Sequence, residues 1–341
     1  MIAARLEVAR EQILAFRRAV GALDARLPPG AKSLRRAAWA GLQDSMPRAA
    51  VLSIYARVEG TEPSSWDDPS LAQLWGPRYS VYVVPAQDVG VFSIARMPDA
   101  PGPRQRAEDM AARLHAILDG KTMTDRDAAA IAGVNSNAFR YAAPTGTVRI
   151  RWEGARAPTL WTVPRPEVDP RDARLELARR YLHVFGPTTA QSFADWAGIL
   201  PGAAIAAFEQ LRAELTPVIT PLGDRWILAG DEPALRAAPA VEPAPARLLP
   251  SGDAYWLFWG RDRELLVLDP DRRAELWTPR VWPGALLLGG DIIGTWRRAD
   301  ANIAIQAWRR LKPAERDAVE AEAASLPLPG VAGRIQVAWI D

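Results

Sequence analysis

Leu182-His183-Val184-Phe185-Gly186-Pro187-Thr188-Thr189-Ala190-Gln191 holds the end of one helix and the beginning of another. Leu175, Ala178, Leu182 and Phe185 recur at helical spacing and form one apolar face, which Gly186 and Pro187 terminate. Thr188 and Gln191 fit a capping box for a second helix carrying Phe193 and Trp196. After Gly198 a third helix starts near Pro201, with Ala204, Phe208, Leu211 and Leu215 on one side. A hairpin follows, from strands at 218–220 and 225–228, with a turn at Gly223-Asp224. Three helices and a two-stranded wing predict a winged helix over residues 171–231.

The same order of elements precedes it. Met110, Leu114, Ile117 and Leu118 mark a helix, Thr124 opens another with Asp125 and Asp127 in its first turn, and a third piece lies at 135–141. Two β-like runs, 147–152 and 159–163, joined through Glu153-Gly154-Ala155, complete a second winged helix over 104–165. Residues 1–98 are read as another: Ala9, Ile13, Phe16 and Val20 on one helix face, Ser33 capping a second helix, Pro47 starting a third, and strand-like runs at 79–84 and 91–94. From Arg247 the period changes to β-type runs at 255–258, 265–268, 285–288 and 292–296, then a helix over 303–325 interrupted at Pro313. Residues 246–341 are expected to form a small antiparallel sheet or barrel with a terminal helix and a closing strand. Proline-rich breaks at 99–103, 164–170 and 232–245 separate the four parts. The expected fold class is α+β and multi-domain, with three tandem winged helices and a β-rich C-terminal domain.

Composition narrows the chemistry. A chain of 341 residues exceeds one ordinary core, and 49% hydrophobic residues is ample to fill several. Lys+Arg 42 against Asp+Glu 40 leaves a net charge of +2, so nucleic-acid binding requires separation of charge onto different faces. All basic residues except Lys32, Lys121 and Lys312 are arginines, whose forked donors suit phosphate. Without cysteine, thiolate zinc sites, disulfides and cysteine nucleophiles are impossible. His115 and His183 are too far apart in sequence to suggest a histidine metal site and read as packing residues, so the expected chemistry needs no metal or cofactor. No apolar run approaches membrane-spanning length, and the residues 1–10 carry charges in place of a greasy core, which predicts a cytoplasmic protein.

Gly41-Leu42-Gln43-Asp44-Ser45-Met46-Pro47-Arg48 brings an amide, a carboxylate and a hydroxyl to an expected helix junction. Gln43, Asp44 and Ser45 are the candidate catalytic residues. The competing reading makes Gln43 a polar helix end and Asp44 or Ser45 the cap of the helix after Pro47.

This segment resembles the corresponding region of the AlkZ/AlkX (YcaQ)-like DNA glycosylases, in which a Gln-x-Gln or Gln-x-Asp pair precedes the proline; here the pair is Gln43 and Ser45. Trp75-Gly76-Pro77-Arg78 leading to Tyr82-Val83-Val84 and Asp88 is similar to the family's Arg-Gly-Thr-Leu-His-Leu-Val segment, departing from it at Tyr79, Ser80 and Tyr82. Arg179-Arg180-Tyr181-Leu182 with Gly186-Pro187, Leu248-Leu249-Pro250 with Asp253, Arg261-Asp262-Arg263, and Gly294-Thr295-Trp296-Arg297-Arg298 resemble later signatures, in the family's order.

The resemblance implies a C-shaped cradle for duplex DNA, with the polar pair facing the damaged nucleotide, and hydrolysis of the N-glycosidic bond of alkylated purines by a monofunctional, monomeric enzyme. Gln43 would orient water, with Asp44 or Ser45 assisting. Ser45 is a weaker base than the amide or carboxylate it replaces, so the alternative is a catalytically silent DNA binder or damage sensor. Arg57, Arg78, Arg261, Arg263, Arg297 and Arg298 are the candidate DNA contacts. Asn135, Asn137 and Arg140 occupy a recognition-helix position, Asp253 is expected to brace the loop after Pro250, and Trp256, Trp259, Trp282 and Trp296 read as core.

Overall fold

Ile13, Phe16 and Val20 do recur on one face of a helix, α1 (Arg10–Val20), which follows a two-residue strand, β1 (Leu6–Glu7). A computed structural model describes residues 6–46, 48–154, 156–238, 244–331 and 333–340. The first part continues with α2 (Ala31–Ala37), β2 (Leu42–Gln43), α3 (Ala49–Tyr55), β3 (Leu71–Trp75), β4 (Val81–Pro85) and α4 (Val89–Ile94). Ser33 lies inside α2, whose N-cap is Gly30, and Pro47 lies outside the described residues. The expected strand at 91–94 is helical. Every residue from Val89 to Ile94 except Val91 is buried, so there is no alternation to favour a strand, and Ser93 Oγ closes a helical turn on Val89 O at 2.6 Å. The three strands form a sheet in the order β2-β4-β3.

The second part places Pro101 in the first turn of α5 (Pro101–Leu118), so the expected proline-rich linker is partly a helix start. Then come β5 (Met123–Thr124), α6 (Asp125–Ala132), a 3-10 helix (Ser136–Thr145), β6 (Val148–Arg151) and β7 (Thr159–Thr162). Thr124 caps α6 by accepting from Asp127 N at 3.1 Å, as its sequence predicts. Leu114, Leu118, Phe139, Ile150 and Leu160 fill a separate small core.

In the third part Asp169 caps α7 (Pro170–Phe185), followed by α8 (Ala190–Ala197), α9 (Pro201–Gln210), the antiparallel pair β8 (Leu215–Thr220) and β9 (Gly223–Leu228), and α10 (Glu232–Ala237). The cap of α8 is Thr189, accepting from Ser192 N at 3.1 Å, one residue later than the expected Thr188/Gln191 box. Thr188 is instead engaged by Trp226 through backbone bonds of 2.9 and 2.8 Å. The hairpin turns at Pro221-Leu222, where Thr220 Oγ1 accepts from Leu222 N, and Gly223 is already in the strand.

The fourth part contains β10 (Arg247–Leu249), α11 (Arg263–Leu266), α12 (Pro270–Leu276), β11 (Gly284–Leu288), β12 (Asp291–Ala299), β13 (Asn302–Ala307), α13 (Pro313–Ala324) and β14 (Gln336–Trp339). Four expectations fail here. Tyr255 to Phe258 are all buried in an irregular loop with no strand pairing, and Leu265 sits in α11. Residues 303–307 form a strand, because Ile303 and Ile305 point inward at a spacing of two. The sheet runs β10-β11-β12-β13-β14 with β14 parallel to β13, so among the described residues it is mixed and open, neither purely antiparallel nor a barrel.

The parts interlock. β1 pairs in parallel with β8, Leu6 opposite Val218, which adds the first part's strand to the third part's hairpin. One continuous core runs through the first, third and fourth parts and includes Phe92, Tyr181, Phe185, Phe193, Trp196, Trp256 and Phe258. Its aromatic side chains cluster, and Tyr181 stacks on Phe185 at 4.7 Å between ring centres. Arg17 of α1, 3% exposed, closes the end of α7 by donating to the carbonyls of Phe185 (2.8 Å), Gly186 (3.0 Å) and Pro187 (3.2 Å). Its guanidinium also lies 4.6 Å from the Phe258 ring. Replacing Arg17 with Met keeps the bulk and strands those carbonyls, so Arg17→Met is expected to destabilise the chain by about 2–4 kcal/mol. Equilibrium urea denaturation measures this, and a loss under about 0.5 kcal/mol would show that water takes over the carbonyls.

The Gln43 cleft

Gln43 ends a strand rather than a helix. Leu42 pairs with Val83 and Gln43 with Tyr82 of β4, and Asp44 N continues the ladder to Val81 O at 2.7 Å. Successive side chains on extended backbone point to opposite faces. Gln43 therefore turns outward and Asp44 inward, and the two do not share one position.

Asp44 is fully buried. Its Oδ1 accepts from Ala50 N at 3.1 Å, in the first turn of α3, and its Oδ2 accepts from Gln73 Nε2 at 2.8 Å and Arg48 Nη1 at 3.1 Å. Arg48 in turn bonds the Trp152 carbonyl and stacks 3.9 Å from the Trp66 ring, while Gln73 Oε1 accepts from Trp152 N at 2.6 Å. Asp44 thus caps α3 and ties it to the second part, the competing reading of this residue. Burial outweighs the Arg48 charge and the amide donors and raises the Asp44 carboxyl to about 6.

A second buried carboxylate holds the other end of α3. Arg57, 3% exposed, makes a two-pronged pair with Asp253, 1% exposed, at 2.7 Å on each prong. Asp253 also accepts from Ser53 Oγ at 2.6 Å and Tyr255 N at 2.9 Å, so it braces the loop after Pro250, as expected. Arg57 is thereby corrected from a phosphate clamp to an internal brace, because an enclosed and doubly paired guanidinium has no free face for DNA. The braced loop carries Gly252, φ +73, whose missing side chain leaves room for the Gln43 amide: a Cβ there would stand 3.1 Å from Gln43 Cδ.

Gln43 and Ser45 face a cleft of about 360 Å³ together with Arg78, Ser80, Ser251, Trp259, Arg280 and Trp282. Among the described residues the Gln43 amide has no hydrogen-bond partner, and the Ser45 hydroxyl is buried without one. Arg78 sits in a left-handed turn, φ 54, with its backbone against Gly198; it donates to Asp195 O at 3.0 Å and lies 4.7 Å from the Trp259 ring. Arg263 stacks on Trp277 and Trp282.

A larger groove of about 670 Å³ shares Met46, Ser251, Val281 and Trp282 with the cleft and carries Arg297 and Arg298. The structure therefore gathers Gln43, Ser45 and Arg78 in one cleft, puts Arg297 and Arg298 beside it, and holds Asp44 and Arg57 behind it. Arg261 is exposed nearby and 3.9 Å from Glu264. Trp256 and Trp296 are core as expected, whereas half-buried Trp259 and Trp282 are walls of the cleft. Arg280 was missed by the sequence reading, although Pro279 and Pro283 bracket Arg280-Val281-Trp282 as a surface loop. Among the described residues no group of three His, Asp or Glu is arranged to hold a metal, and no helix is long and apolar enough to cross a membrane.

With this fold and site, the chain belongs to the AlkZ-like DNA glycosylase family: the description "DNA glycosylase AlkZ-like" matches residues 34–327. Among solved structures it is similar to the Streptomyces sahachiroi DNA glycosylase AlkZ, with a TM-score of 0.81 over 98% of this chain and 100% of that one, at 19% identity. That identity carries the fold and not the roles of residues. No curated protein sequence matches the chain.

Because the Asp44 carboxyl is raised in the folded chain, its contribution to stability is full below about pH 4 and is lost as the pH rises through about 6. The stability of wild type relative to Asp44→Asn should therefore fall by roughly 2 kcal/mol between pH 4 and pH 7. Urea titrations at each pH read this, and a pH-independent difference would mean that the carboxyl ionises normally.

Proposed function

We propose that this protein is a monofunctional DNA glycosylase that hydrolyses the N-glycosidic bond of alkylated purines in duplex DNA. Residues 1–98, 104–165 and 171–231 are read as three tandem winged helices that, with the β-rich part at 246–341, cradle the duplex. The observation that carries the reading is the unpartnered Gln43 amide in a cleft walled by Trp259 and Trp282 and rimmed by Arg78 and Arg280. Its volume is near the lower end of small-ligand sites, a suitable scale for one extruded nucleotide.

Alkylation at N7 of guanine or N3 of adenine makes the base cationic and weakens its bond to the sugar. The C1′–N bond breaks with its electron pair passing to the base, which leaves neutral. Gln43 Oε1 accepts a hydrogen bond from a water whose oxygen bonds to C1′, and the displaced proton passes to solvent. Ser45 lines the same cleft, but its hydroxyl is enclosed and supplies no base to the reaction. Asp44 supports the site from behind by capping α3 and does not meet the substrate. The absence of cysteine and the two distant histidines support a mechanism without a resident metal. Arg263, Arg297, Arg298 and Arg261 extend the rim toward the duplex backbone.

The second reading, a catalytically silent damage binder, is favoured by Ser45 at the position where the family carries an amide or carboxylate. Single-turnover base release from a duplex holding one N7-methylguanine separates the two. Gln43→Ala is expected to slow release about 100-fold or more while leaving duplex affinity within a few-fold. Wild type no faster than Gln43→Ala, with tight and salt-dependent binding retained, selects the silent binder.

A further inference from the structure

The cleft contains no negative charge. None of its lining residues is acidic, and the neighbouring carboxylates Asp44 and Asp253 are buried and taken up by Arg48 and Arg57. Among the described residues Arg78, Arg263 and Arg280 have no carboxylate within ion-pair reach, whereas nearby Arg57, Arg225 and Arg261 each have one. Arg263 is held below the usual arginine range, first by burial and then by the charge of Arg78. Cations thus accumulate where glycosidic cleavage develops positive charge at the sugar, and an empty cleft would oppose that reaction. An anion has to stand between the arginines and the sugar, and the substrate carries one phosphate for every nucleotide.

We propose that Arg78 and Arg280 grip the backbone phosphate of the damaged nucleotide at the mouth of the Gln43 cleft, so that this phosphate supplies the negative charge that stabilises the sugar cation. The inference rests on the glycosylase reading and adds Arg280 to it as a positioning residue. The two arms differ in kind. Arg78 is set in advance by its left-handed backbone, the Asp195 carbonyl and the Trp259 face. Arg280 is exposed on the proline-bracketed loop and free to close. Two forked donors on one phosphate give charge-assisted bonds that hold its position as well as its charge. The phosphate keeps its bonds throughout; only the C1′–N bond breaks, and water takes its place at C1′.

The test replaces that phosphate with a methylphosphonate, which removes the charge and keeps the shape, and follows single-turnover base release by wild type, Arg78→Met, Arg280→Met and Arg280→Lys. Neutralising the phosphate should slow wild type about 100-fold. Each Met variant should lose a comparable factor on ordinary DNA and little more on methylphosphonate DNA, and Arg280→Lys should recover part of the loss. Full-speed release from methylphosphonate DNA, or losses that multiply independently, would overturn the proposal. A wild type that releases no base from any duplex sinks the glycosylase reading separately, and the clamp is then read by binding. In that case Arg280→Met should reduce the salt dependence of duplex affinity by about one phosphate contact on ordinary DNA and leave methylphosphonate DNA unaffected; an unchanged slope rules the clamp out.

Discussion

The buried pair between Arg57 and Asp253 is the contact on which the candidate site depends. It joins α3 of the first part to the loop after β10 of the fourth, and that loop presents Gly252 to the Gln43 amide. Taking two charges out of water is costly, and the cost is offset here because every prong is satisfied: both Asp253 oxygens accept from Arg57, one also from Ser53 and the other from the Tyr255 amide. Asp44 plays the equivalent part at the other end of α3. Two enclosed carboxylates therefore fix one short helix, and the amide that faces solvent is carried between them.

The arginine content has two explanations, and they divide by location. Arg17, Arg96 and Arg174 are buried and donate to main-chain carbonyls at the ends of helices or strands; Arg17 and Arg174 join the first part to the third, and Arg96 ties the end of β3 to α4 within the first. Arg26 and Arg180 pair with carboxylates across long sequence separations and pack on aromatic rings, and Arg18 pairs with nearby Asp24 while donating to the distant Gly290 carbonyl. Among the described residues Arg78, Arg263 and Arg280 at the Gln43 cleft and Arg297 and Arg298 in its adjoining groove bond at most to main-chain carbonyls or aromatic rings and form no ion pair with a carboxylate. A net charge of +2 is thus compatible with a locally cationic hollow, because many of the other arginines are neutralised by carboxylate partners elsewhere in the fold.

Much of the third part could be read in advance. The period of Leu175 to Phe185, the glycine and proline behind it, and the alternation of β8 and β9 are local signals that tertiary packing did not override. The fourth part was less legible, since the apolar runs at 255–258 and 265–267 are buried throughout and show neither helical nor strand period. At the site, the residue types were visible in Gln43-Asp44-Ser45 but their directions were not. A helix junction would have splayed the three around an axis; the strand instead sends Gln43 to the cleft and Asp44 to the interior. The roles of Arg57 and Arg280 depend on partners distant in sequence, Asp253 for the first and Gln43 for the second, and no local pattern in the chain announces either.

The parallel pairing of β1 with β8 bears on how the molecule is assembled as it is made. Leu6 and Glu7 leave the ribosome well before Val218 and Ile219, the residues opposite which they pair. Until β8 is synthesised, the leading strand and the apolar side of α1 have nothing native to cover them. Closing so long a loop costs entropy that only the completed hairpin can offset. Synthesis order and folding order are thus opposed across this pairing, and β1 must wait for β8 to be given shelter.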